Sequence, residues 1–306
     1  MAPASLPYHE DCSFPTLDGN ILRGHLYPAT ERGPGVIITP GYSCVKEMFV
    51  HEVAEHFQLL GITALAYDPR SFGESDGIPR CEADPAKQAE DYSDAFTYMA
   101  SLPIVDPRRI AFWGMSFSGM VSLCASAVDK RAKAVIAVCP LVPSVFECNP
   151  KLLPKVLAKA MKDRESQIRG NPPFYLPVLE ENGENAAGFG TGADKNAYGL
   201  LIDSKKVAPR HENRTTIQTY SRMLRWQPLG LLKYVNPTPV MFVVPELDLM
   251  SPAQEQLDIF ENLKGPKRLH IAPGKGHMEV MSGPEFVSLM KLEFDFLMDV
   301  FNGTFA

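Results

Sequence analysis

The stretch Ile110-Ala111-Phe112-Trp113-Gly114-Met115-Ser116-Phe117-Ser118-Gly119 decides how the rest of the chain is read. Four apolar residues without alternation predict a strand buried on both faces. The apolar run over 118–128 predicts the helix that follows it. Gly114 and Ser118 stand two residues to either side of Ser116. A serine on so tight a strand-to-helix turn adopts a strained backbone and tolerates only small neighbours. The helix start beneath Ser116 also favours negative charge developing there. A nucleophile elbow usually ends in glycine two residues past the serine, and here Ser118 takes that place. The bland alternative is a glycine turn with a capping serine.

Outward from this stretch, short apolar runs recur at 35–39, 63–67, 134–138, 240–244 and 268–271. Helical patterns lie between them, over 45–60, 85–101, 252–263 and 284–301, with Pro252 and Pro284 suited to first turns. Asp18-Gly19 marks a hairpin within the first 27 residues. Alternation of this kind predicts an α/β fold, a mostly parallel, doubly wound sheet with helices on both faces. From about Ser144 to Asn236 the rhythm breaks. No clear strand is visible there, only helical patterns at 152–161 and 215–226 among proline- and glycine-rich loops. The chain therefore divides into core (1–143), an inserted, mainly helical cap (144–235), and core again (236–306). The segment Gly188-Phe189-Gly190-Thr191-Gly192 follows no strand, so it reads as a loop and not as a phosphate cradle.

Of 306 residues, 45% are hydrophobic and 22% charged, with a formal net charge of −6. That is ample for a full core and lacks the basic face of a nucleic-acid binder. Six scattered cysteines form no C-x-x-C pair and read as reduced thiols. No run approaches the roughly 18 apolar residues of a membrane span, and no signal peptide is visible. A cytoplasmic protein is expected, and the sequons at Asn213 and Asn302 read as chance. His51 and His56 are five residues apart, about 140° round a helix, where a zinc-binding pair needs four. No metal or cofactor is expected.

A serine hydroxyl needs a base to become a nucleophile. His277, in Gly274-Lys275-Gly276-His277-Met278, follows the run 268–271 and sits on a glycine-flanked loop. The other six histidines lie in the hairpin, on an early helix, in the insertion or within a strand. The orienting acid should follow the run 240–244, where Asp248 is the choice and Glu246 the alternative. Two backbone N–H groups, of Tyr42 and Phe117, suit an oxyanion hole. Gly41, Met115, Met250 and Met278 flank these residues. With Met281, and with Phe174, Tyr175, Tyr220, Met223 and Trp226 from the insertion, they suggest an apolar acyl pocket. Arg222 and Arg225 belong to a solvated face or meet an anionic carrier arm.

The order Ser, Asp, His, the loop Asp68-Pro69-Arg70-Ser71-Phe72-Gly73-Glu74-Ser75 and the elbow resemble the α/β-hydrolase superfamily along the whole chain. The stretch Gly41–Met48 is similar to dienelactone-hydrolase-like proteins, whose fungal members include polyketide transferases and thioesterases. The chain departs from many relatives at the first oxyanion loop, where Pro40 precedes Gly41. The resemblance implies a serine acyl enzyme, an ester or thioester hydrolase or an acyltransferase, in secondary metabolism. Its partner would be a small or carrier-bound acyl substrate, with an acyl carrier domain and a homodimer as further expectations. Two alternatives stay open: a cyclase using His277 as base, and a ligand receptor with a vestigial triad.

Overall fold

The computed structural model describes residues 8–143, 151–189 and 195–305. Strands β1 (Glu10–Pro15) and β2 (Ile21–Tyr27) pair antiparallel as the hairpin around Asp18-Gly19. Gly19 turns it at φ +88°, where a Cβ would add strain. There follow β3 (Gly33–Thr39), α1 (His51–Leu59), β4 (Thr63–Tyr67), α2 (Pro85–Ser101), β5 (Val105–Met115), α3 (Phe117–Val128) and β6 (Ala134–Val138). The chain then leaves the sheet for α4 (Leu153–Ile168), β7 (Tyr175–Leu176), α5 (Lys195–Asp203), β8 (Thr215–Thr216), α6 (Ile217–Arg225) and α7 (Leu229–Leu232). It returns as β9 (Val240–Pro245), α8 (Ala253–Asn262), β10 (Lys267–Ala272) and α9 (Phe286–Phe301).

Eight of these strands form one sheet in the order β1-β2-β4-β3-β5-β6-β9-β10. The pairings of β2 with β1 and β4 are antiparallel, and those from β4 to β10 are parallel. The central strands bury both faces, which is why their sequences run apolar without alternation. Ile37, Phe112, Val135 and Phe242 pack with α2 and α3 on one face. Val36, Ile38, Trp113, Ile136 and Met241 pack with α1 and α9 on the other. The carboxyl ends of β3, β5, β6, β9 and β10 open at the same edge, the ordinary place for a site in such sheets.

Three expectations need correction. The first helix begins at His51 rather than 45, because Phe49 takes φ +64° and the Lys46 N–H is spent on Asp68. The stretch between β6 and β9 does contain strands: Tyr175–Leu176 pairs antiparallel with Thr215–Thr216. Two residues are too few to leave a period in the sequence. Pro252 is the residue before α8 and Pro284 lies two before α9, so neither is inside its helix. The boundary at Ser144, Cys148 and the glycines at 190 and 192 lie outside the described residues. No described helix is long and apolar enough to cross a membrane.

Candidate active site

Ser116 stands between β5 and α3 at φ +57°, ψ −122°. A non-glycine residue is held there only when its surroundings over-determine it. Here they do. Ser116 N–H donates to Val138 O (2.8 Å), and its carbonyl accepts from Gly119 N (2.9 Å) and Leu141 N (2.9 Å). A Cβ on Gly114 would fall 2.1 Å from Ser118 O, so glycine is required before the serine. After it, the close approach falls on Gly119, whose Cβ would lie 3.1 Å from Pro140 Cα. That leaves room for a side chain at Ser118.

His277 reaches across from the loop after β10. Its Nε2 lies 2.8 Å from Ser116 Oγ, and its Nδ1 2.8 Å from Asp248 Oδ2. The carboxylate assigns the tautomer: Nδ1–H donates to Asp248, leaving the Nε2 lone pair to accept the Ser116 hydroxyl proton. Asp248 is buried, and its oxygens also accept from Met250 N (3.0 Å), Ser251 N (2.8 Å) and Gln256 Nε2 (2.9 Å). Glu246 is exposed and accepts from Gly274 N at 2.7 Å. It ties two loops together and is not the carboxylate that meets His277.

Burial by itself favours a neutral His277 ring. The hydrogen bond and charge of Asp248 push the other way, so the imidazole is held above its usual range. Cys139 Sγ lies 3.9 Å from Nε2, and its S–H is directed at the His277 carbonyl at 3.8 Å. Burial raises the Cys139 thiol above its ordinary value, so it stands there neutral and Asp248 is the charge that acts on the ring.

A cavity of about 140 Å³ opens over Ser116. Gly41, Tyr42, Met115, Met250, His277 and Met278 line it from the strand-end loops. Val178, Leu179, Phe189, Leu201, Tyr220 and Met223 line it from the segment between β6 and β9. Trp226 is not on this wall: its ring packs 6.0 Å from that of Phe117. Met281 is buried in the core under α9. Tyr175 donates its hydroxyl to Arg80 O, and Phe174 lies beneath the Lys159 ammonium. Arg222 is bound by Glu82 and Asp84, and Arg225 donates to Ser221 O, so both cations are engaged within the chain.

Gly41 abuts the serine, since a Cβ there would lie 3.4 Å from Ser116 Cβ. Tyr42 follows it, its ring 5.7 Å from that of Phe117, the first residue of α3. The loop after β4 supports this corner. Asp68 accepts from Lys46 N (2.8 Å), Lys46 Nζ (3.1 Å) and Glu74 N (2.8 Å). Gly73 is needed there, because a Cβ would strike the Asp68 carboxylate.

Reasoning from sequence missed Cys139, Gln256 and Asn185, whose partners are distant in the chain. It also passed over Asn213 as a chance sequon. That amide accepts from Val178 N and Leu179 N (both 3.1 Å) and donates to Leu179 O (2.8 Å), fixing the bend after β7 that walls the cavity. Cys139, Asp248 and His277 also form one of two groups among the described residues with three donor atoms close together. Its members are already tied by their hydrogen bonds. The other group is His9, Asp11 and His25, on the hairpin at the far edge of the sheet.

Residues 36–288 match the model of the alpha/beta hydrolase family. A thiohydrolase of Eupenicillium brefeldianum is 52% identical over 298 residues, 97% of this chain and 96% of that protein. The polyketide transferase claH of Penicillium crustosum is 45% identical over 95% of this chain and 97% of its own. The solved structure of the alpha/beta hydrolase GrgF from Penicillium sp. sh18 superposes with a TM-score of 0.88 at 41% identity, covering 96% of this chain and 99% of that one. With its mostly parallel eight-stranded sheet, the chain belongs to the alpha/beta hydrolase family and is an enzyme, a hydrolase or acyltransferase.

Proposed function

We propose that the protein is a serine-dependent acyl enzyme acting on an apolar, polyketide-like acyl thioester or ester, free or carrier-bound. The observation that carries this is the line of two 2.8 Å hydrogen bonds from Ser116 through His277 to Asp248 at the floor of an apolar cavity. In this mechanism His277 Nε2 takes the Ser116 proton as Oγ bonds to the carbonyl carbon. The oxyanion is met by the N–H groups of Tyr42 and Phe117. His277 then returns the proton to the departing thiol or alcohol, leaving an acyl-Ser116 ester. Asp248 holds the ring and balances its positive charge. Water resolves the ester to an acid, whereas an alcohol or amine resolves it to a transferred acyl group. Residues 144–235 act as a cap whose apolar wall selects the chain.

The names of the two relatives, thiohydrolase and polyketide transferase, support acyl chemistry of this class. The experiment is intact mass spectrometry after incubation with a panel of acyl thioesters and esters. An acyl adduct that maps to Ser116 and disappears in Ser116→Ala is expected. Undiminished turnover by Ser116→Ala would remove the serine from the mechanism.

A further inference from the structure

The departure from glycine at Ser118 and the buried Lys46 act on one loop, residues 40–46. Ser118 is buried in the first turn of α3, and its hydroxyl donates to the Pro40 carbonyl at the start of that loop. Lys46, at the other end, is 1% exposed and reaches three carboxylates: Glu47 (2.9 Å), Glu74 (3.0 Å) and Asp68 (3.1 Å). Its N–H donates to the same Asp68, so backbone and side chain are held by one buried group. Between these ends Cys44 and Val45 pack into the core and the Tyr42 ring meets Phe117, but few hydrogen bonds hold the backbone. The internal backbone bond is Cys44 N–H to Gly41 O (3.1 Å), and Ser43 sits at φ +61°. A strained residue keeps its conformation only when its surroundings over-determine it, and the two tied ends add to the packing that does so here.

We propose that Ser118 and Lys46 are positioning residues that clamp the two ends of this loop and so set the Tyr42 N–H over Ser116. This rests on the acyl-enzyme mechanism above. Ser118 would then be no neutral substitute for glycine. It joins the helix that carries one oxyanion N–H, that of Phe117, to the loop that carries the other. Such a tie matters because a donor works only at 2.7–3.1 Å from the developing oxyanion, and a displacement of about 1 Å costs up to ~10²-fold.

The test compares Ser118→Ala and Ser118→Gly with the parent on a short p-nitrophenyl ester. Affinity for an alkyl boronic acid, a mimic of the tetrahedral intermediate, is measured alongside. Glycine restores the usual elbow pattern and alanine keeps the Cβ, so both variants should fold. We expect kcat to fall roughly 10-fold to 100-fold with KM changed less than about 3-fold, and boronate affinity to fall in step with kcat. Lys46→Met combined with Asp68→Asn, which leaves no buried charge unpaired, should show the same split between kcat and KM. A role confined to folding would lower the thermal midpoint and leave kcat of the folded fraction unchanged, which overturns the proposal. Parent-like kcat in Ser118→Gly overturns it as well. Ser116→Ala runs in parallel: if that variant is inactive while Ser118→Gly is parent-like, the clamp alone is lost. If Ser116→Ala keeps full activity, the acyl-enzyme mechanism falls and the clamp with it.

Discussion

The two walls of the cavity are built on different principles. The floor comes from loops at the strand ends, and Ser116, His277 and Asp248 in it are joined by directed hydrogen bonds. Asp248 alone accepts four hydrogen bonds, from His277, Met250, Ser251 and Gln256. The far wall, from Val178 to Met223, is mostly apolar, with the pairing of Asn185 and Tyr220 hydroxyl (2.9 Å) as a polar contact within it. Hydrogen bonds are directional and fail within a few tenths of an ångström. Apolar packing tolerates a change of shape if volume is kept. The floor is therefore suited to chemistry that depends on exact placement, and the far wall to selecting a chain by size.

The sharpest way to break this contrast is at Asp248. Asp248→Asn keeps the shape but favours the wrong tautomer of His277, and kcat for ester hydrolysis should fall about 10³-fold to 10⁴-fold. Loss of less than about 10-fold in steady-state assays would mean that the floor is not organised around this carboxylate. On the opposite wall, Met223→Ala should leave kcat for a short ester within about 3-fold while enlarging the pocket. Its kcat/KM for an acyl chain a few methylenes longer should rise on the order of 10-fold. An unchanged chain-length profile would detach that wall from selectivity.

The smallest effect lies beneath the floor. Glu293 is fully buried and accepts one hydrogen bond, from Trp113 Nε1 at 2.8 Å, while its second oxygen has no partner. With one donor on Glu293, burial dominates there and raises its pKa to about 8. The folded state thus keeps a proton that the unfolded chain loses near its ordinary value of 4.5. The stability this group supplies is complete below that value and is lost as pH rises to about 8. Glu293→Gln has no proton to lose, so its thermal midpoint should exceed the parent's by about 5 °C at pH 8, with a smaller gap at pH 5. Ester turnover should stay within about 2-fold. A gap independent of pH would show that Glu293 does not titrate in that window.

Much of the floor was legible because each part of it is encoded locally. Unbroken apolar runs gave the strands 63–67 and 134–138 to the residue, and glycines marked the sharp turn around Ser116. The order of Ser116, Asp248 and His277 along the chain needed only the alternation of strand and helix. The far wall was harder to read. Val178, Leu179 and Leu201 carry no motif, and Trp226 looked like a pocket residue only because aromatic residues suit pockets. What decides its place is the Phe117 ring behind it.

By itself the sequence determined which residues form buried strands and where the backbone must turn, and it singled out Ser116, His277 and Asp248 as the candidates for nucleophile, base and acid. Those properties depend on local dihedral preference, periodicity and side-chain chemistry. The tertiary structure decided what meets what. It brought Ser116 within 2.8 Å of a histidine 161 residues away. It set buried Asp248 against His277 and left Glu246 exposed. It also turned Ser118, a small departure from pattern, into a hydrogen bond to Pro40. Contacts between distant residues follow from the packing of whole elements, and no short stretch of chain contains that information.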